Sequence, residues 1–175
     1  GWPTLEFMAN ATRGKNVSMP PLAYLAEQVV QMSALAAPLW VAGLGALLTS
    51  RRFGAFRPVG WTYLAVLAVM LATNAKPYYL APAYTALFAA GAVTLEAVRR
   101  PVAGLWIRVV AVVLVAASGA LSAPLAKPIL PTEAYLRYTS AIGMAPSVGE
   151  RHEMGRLPQH FADMHGWPEL AVNLA

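Results

Sequence analysis

Between residues 22 and 126 the sequence is a succession of long apolar runs, interrupted only by short breaks rich in cations and proline. The breaks are Arg51-Arg52-Phe53-Gly54-Ala55-Phe56-Arg57-Pro58, Lys76-Pro77-Tyr78-Tyr79 and Arg99-Arg100-Pro101. A bilayer core needs about 20 apolar residues in a helix, and only helices and closed barrels satisfy their backbone there. A water-soluble fold would have to cover these runs with polar side chains, yet 58% of the 175 residues are hydrophobic and 12% are charged. That is about half the charged share of an ordinary soluble domain. The pattern predicts an all-α, polytopic transmembrane bundle of about four spans, over residues 22–48, 59–75, 80–98 and 102–126.

Residues 1–21 carry Trp2, Pro3, Arg13, Gly14, Lys15, Pro20 and Pro21, and read as an external loop. Pro38 is the expected kink of the first span. Residues 127–175 hold all three histidines and five of the eight acidic residues, and read as the start of a small extracytoplasmic subdomain. Thr132 is placed to cap a helix through Tyr135 and Tyr138, with Gly143 ending it; Gly166 is a second stop. The chain starts at Gly1 and ends at Ala175 within an expected helix, as a piece of a longer polypeptide would.

The net charge of +5 is scattered in loops rather than laid out as a basic stripe among aromatics, which argues against nucleic acid as partner. It fits the positive-inside rule. The loops at residues 51–57 and 99–108 carry three arginines each and should face the cytoplasm; the Lys76 turn and both chain ends then lie outside. Cysteine is absent, which excludes disulfides and thiolate metal sites.

Chemistry concentrates in Lys76-Pro77-Tyr78-Tyr79-Leu80-Ala81-Pro82-Ala83-Tyr84. Lys76 offers a point charge, and Tyr78, Tyr79 and Tyr84 offer hydroxyls and rings, a set that suits a phosphate at headgroup depth. The plainer reading is an aromatic belt with one snorkelling lysine; Pro77 and Pro82 favour backbone that lines a cavity. On the first span, Glu27 and Gln31 are spaced to share a helix face near Gln28 and are candidates for a polar cavity lining. His152 and His160 are candidates for a site in the external part. His152-Glu153 opens like a zinc-protease motif, but Arg156 stands where its second histidine belongs, so no metal site is assigned.

The stretch from Lys76 to Tyr84, followed by Leu87-Phe88-Ala89-Ala90-Gly91-Ala92 and Leu95-Glu96, resembles bacterial family 39 glycosyltransferases. These polytopic GT-C enzymes are related to protein mannosyltransferases and lipid A aminoarabinose transferases. Three further segments match in order: Gly1-Trp2-Pro3-Thr4-Leu5-Glu6-Phe7, Leu130-Pro131, and the run from Arg151 through His152 and His160 to Met164. Thr85 departs from the pattern, where proline is expected.

The resemblance implies an inner-membrane enzyme that moves a sugar from a polyprenyl-phosphate carrier to an acceptor on the periplasmic face. It also implies an acidic base or metal ligand in an N-terminal external loop that this chain does not contain, so the chain alone would be inactive. No cofactor is implied within the chain, and a divalent metal would belong to the full-length enzyme. The partners are the lipid-linked sugar, membrane lipid and the rest of the polypeptide. The alternatives from other classes are a transporter or permease fragment with the Lys76 turn as a discontinuous-helix site, and a noncatalytic membrane scaffold.

Overall fold

A computed structural model describes residues 1–10, 19–98, 100–144 and 157–174. It is all-helical, 81% helix, with no strand among the described residues. Nine α-helices are present in this set: α1 (Pro3–Asn10), α2 (Pro21–Gln31), α3 (Ala37–Thr49), α4 (Arg57–Ala72), α5 (Tyr84–Glu96), α6 (Pro101–Ala126), α7 (Thr132–Ala141), α8 (Gln159–Ala162) and α9 (Trp167–Leu174). Three 3-10 segments, Ala34–Ala36, Arg51–Phe56 and Pro77–Ala83, lead into α3, α4 and α5.

Among the described residues, three stretches are long and apolar enough to cross a membrane: Arg51–Ala72, Pro77–Glu96 and Pro101–Ala126. A fourth is a bent pair, Pro21–Gln31 with Ala34–Thr49, whose two arms meet at 90°. This is the makeup of a multi-pass membrane protein. In Pro101–Ala126 only 6% of the most apolar window is buried, so Val102, Trp106, Val112 and Val113 present a hydrocarbon surface that suits lipid.

Several boundaries differ from those the sequence predicts. Residues 1–21 are not all loop, because Pro3 starts α1 with Glu6 in its first turn. Proline is well tolerated there, where an N–H would have no partner, and an acidic side chain suits the positive helix end. The second span starts at Arg51 rather than residue 59, because the arginine break is itself 3-10 helix; Ser50 Oγ accepts from the Arg52 N–H at 3.3 Å. The first span is interrupted at Ser33, not Pro38. Ser33 sits at φ 68, left-handed backbone that a serine rarely adopts, whereas Pro38 lies harmlessly in the first turn of α3. Thr132 is the first residue of α7 rather than its cap, and Pro131 holds the cap position without a side-chain bond. Gly143 (φ 68) and Gly166 (φ 86) take the left-handed conformation their stop roles require.

The chain divides into two compact units, one formed by residues 18–121 and the other by residues 1–17 and 122–175. In the larger, α3 and α5 approach so closely that a methyl group at Gly43 would overlap the Leu87 carbonyl oxygen, and one at Gly91 the Leu39 carbonyl oxygen. Small residues are what let helix backbones come together where water drives nothing. The core beside this contact is aromatic: Tyr24, Trp40, Tyr63 and Tyr84 are all buried, with Leu47, Leu80 and Leu87. Ser118 of α6 donates a hydrogen bond to the Ser33 hydroxyl at the bend. In the smaller unit, Tyr135 is buried against Phe161, with ring centroids 4.5 Å apart.

Candidate functional site

The Lys76 turn is built by local chemistry that leaves it little freedom. At the end of α4 the Thr73 hydroxyl folds back onto the Val69 carbonyl (2.8 Å). Asn74 then takes φ 49, a left-handed state that asparagine tolerates better than most residues. Lys76 is extended (φ −65°, ψ 132°), as the residue before a proline must be. Its carbonyl accepts the Tyr79 N–H at 3.2 Å and starts the 3-10 segment Pro77–Ala83. Pro77 is tolerated as the first residue of the segment, but Pro82 within it lacks an N–H donor, so a regular α ladder would leave the Tyr78 carbonyl unpaired. Thr85 donates its hydroxyl to the Pro82 carbonyl at 2.8 Å.

Lys76 is half-buried, and its Nζ lies 5.8 Å from the centroid of the Tyr78 ring, within cation–π range. Tyr78 and Tyr79 are 50% and 54% exposed and meet edge to face at 4.8 Å. Tyr79 also lines a groove of 390 Å³ between α4 and the Pro77–Ala83 segment, with Pro58, Thr62, Tyr63, Val66, Leu80 and Pro82. Of the turn's exposed phenols, Tyr79 is therefore the one that lines this mostly apolar trough.

Tyr84 does not share this exposure. It is 1% exposed, and its ring packs edge-on against Trp40 (5.1 Å) and Tyr63 (5.6 Å). Its hydroxyl donates to Gln28 Oε1 at 2.9 Å, and the Tyr63 hydroxyl lies 3.0 Å from it. Gln28 Nε2 in turn donates to the Pro77 carbonyl at 3.0 Å. The donors in this row are fixed by its end. A carbonyl only accepts, so the amide must turn its nitrogen to Pro77 and its oxygen to Tyr84. Tyr84 then spends its one proton on Gln28, and Tyr63 must donate to Tyr84. Two neighbours are less well served: the Tyr24 hydroxyl and Trp40 Nε1 are buried with no hydrogen-bond partner among the described residues.

Glu27 and Gln31 bond each other instead of entering a cavity. Gln31 Nε2 donates to Glu27 Oε1 at 3.1 Å, with Gln31 exposed and Glu27 half-buried. The polar residue of α2 that enters the core is Gln28, 2% exposed. Its signal in the sequence is Tyr24, one helical turn earlier; the two make the buried stripe of α2. His152 lies outside the described residues, and of His160 only the backbone, in α8, is described. Among the described residues no group of three potential metal ligands is brought together. No family model, curated protein or solved structure matches the chain.

Proposed function

We propose that this chain is part of a bacterial inner-membrane glycosyltransferase that uses a polyprenyl-phosphate-linked sugar, with the Lys76 turn holding the donor phosphate on the periplasmic side. The observation that carries the reading is the half-buried Lys76 ammonium over the Tyr78 ring, with Tyr78 packed on Tyr79 and Tyr79 lining the 390 Å³ groove. An anionic head on a hydrocarbon chain needs that pairing: charge and hydroxyls at one end, an apolar trough at the other. The family resemblance of the Lys76–Tyr84 stretch adds the sugar.

In the proposed reaction an acceptor hydroxyl oxygen attacks the anomeric carbon. The new C–O bond forms as the bond from that carbon to the phosphate oxygen breaks, and its electron pair stays on the phosphate. The acceptor's proton passes to a base outside the described residues. Charge grows on the departing phosphate, so a preplaced ammonium stabilises the transition state more than the ground state. Lys76→Ala in the intact protein should lower transfer of labelled sugar by about a hundredfold. Undiminished transfer removes Lys76 from the reaction. The 90° break at Ser33 favours a second reading, a permease with a discontinuous helix. Solute flux in proteoliposomes without sugar transfer decides for it.

A further inference from the structure

We propose that Gln28 is a positioning residue for Lys76, resting on the phosphate reading above. Its side-chain amide grips the Pro77 carbonyl and so fixes the Pro77–Tyr78 peptide, one residue beyond the lysine. Three observations converge on this role. Gln28 is 2% exposed, and a buried amide is retained only where all its strong partners are met. Both ends of the amide are used, Oε1 by Tyr84 and Nε2 by Pro77. The carbonyl it takes is the first of the 3-10 segment Pro77–Ala83, and a carbonyl oxygen has two lone pairs, so it can serve the segment and the side-chain amide together. Gln28 thus ties α2 to the start of the 3-10 segment, and the Tyr63–Tyr84 pair ties α4 to the same amide. Lys76 is adjacent to the gripped residue, so a shift of Pro77 moves the ammonium directly. None of the Gln28 atoms needs to touch the phosphate.

The test reads charge selectivity, which a merely structural role leaves alone. In proteoliposomes holding the intact protein, photocrosslinking affinities are measured for polyprenyl monophosphate and for the uncharged polyprenol of the same length. The affinity ratio of the two reports the phosphate contact. It should fall in Lys76→Ala, and fall about tenfold in Gln28→Met, the loss that removing one orienting hydrogen bond brings. The double variant should fall no further than Lys76→Ala alone, because residues acting through one contact are not additive. If Gln28→Met does not fold, Gln28→Asn, which keeps the amide but withdraws it by a methylene, is read instead. A ratio that drops with Lys76→Ala but is untouched by Gln28 variants overturns the positioning role and leaves the phosphate site standing. A ratio that Lys76→Ala does not move overturns the phosphate site itself. Labelling of Ala81→Cys by a water-soluble maleimide adds a readout free of any lipid: it should speed up several-fold in Gln28→Met, and an unchanged rate refutes the clamp.

Discussion

Two isosteric substitutions in the aromatic core should have opposite consequences, and the contrast tests the hydrogen-bonded row directly. Tyr84→Phe removes one oxygen and preserves the ring that packs on Trp40 and Tyr63. It leaves two buried groups unpaired, the Tyr63 O–H and Gln28 Oε1, on residues 5% and 2% exposed. An orphaned buried polar group costs about 1–3 kcal/mol, so two set a range of about 2–6 kcal/mol. Hydrogen bonds between membrane helices average nearer 0.6 kcal/mol, which pulls the expectation to the low end, about 2–3 kcal/mol. Tyr24→Phe removes a hydroxyl that is buried without a partner among the described residues, and with it a standing desolvation cost. That variant should be unchanged or more stable by about 1 kcal/mol. Reversible unfolding in mixed detergent micelles measures both. Equal losses in the two variants would refute the row, because they would show that the ring surroundings and not the bonded oxygens set the cost.

Gly43→Ala and Gly91→Ala should each cost about 1–3 kcal/mol by forcing α3 and α5 apart, whereas Gly45→Ala, with nothing within 4 Å of the added carbon, should be tolerated; the same unfolding assay compares them. Burial pushes the Tyr135 phenol above its ordinary pKa of 10.0. The folded state therefore favours the neutral ring, and its contribution to stability is complete below pH 10 and lost as the pH rises through the folded value; Tyr135→Phe should abolish this alkaline loss in a pH-dependent melting series. Because the chain has no cysteine, single cysteines report sidedness: an impermeant reagent applied outside intact cells should reach Ala81→Cys and miss Gly54→Cys. Reaction at Gly54 from outside would reverse the proposed orientation.

Much of the architecture was written in hydropathy and punctuation. The apolar runs marked the helices, Lys76-Pro77 marked a break with an extended lysine, and Gly143 and Gly166 marked left-handed stops, since each of these is decided by covalent geometry within a few residues. The bend at Ser33 was not legible. Hydropathy is blind to direction, and a serine at positive φ is held by its surroundings, here a bond from Ser118 that lies 85 residues along the chain. The site was half legible. Lys76, Tyr78 and Tyr79 form one local cluster, but Tyr84, grouped with them by proximity in sequence, turns into the core. Gln28 was hidden beside Glu27 and Gln31, because only the packing of α2 against the Pro77–Ala83 segment decides which polar residue faces inward.

The row from Tyr63 to Pro77 has a direction. Every donor in it points the same way, from Tyr63 through Tyr84 and Gln28 to the Pro77 oxygen. Bond dipoles aligned head to tail in a medium of low dielectric reinforce one another. Their positive pole falls at the peptide between Pro77 and Tyr78, so in the proposed phosphate site the buried phenols would add to the ammonium's pull without carrying charge themselves. The same alignment makes the row a poor proton wire. Its last member is a carbonyl with no proton to pass on, and reversing the current would require every hydroxyl and the amide to turn together inside a packed core.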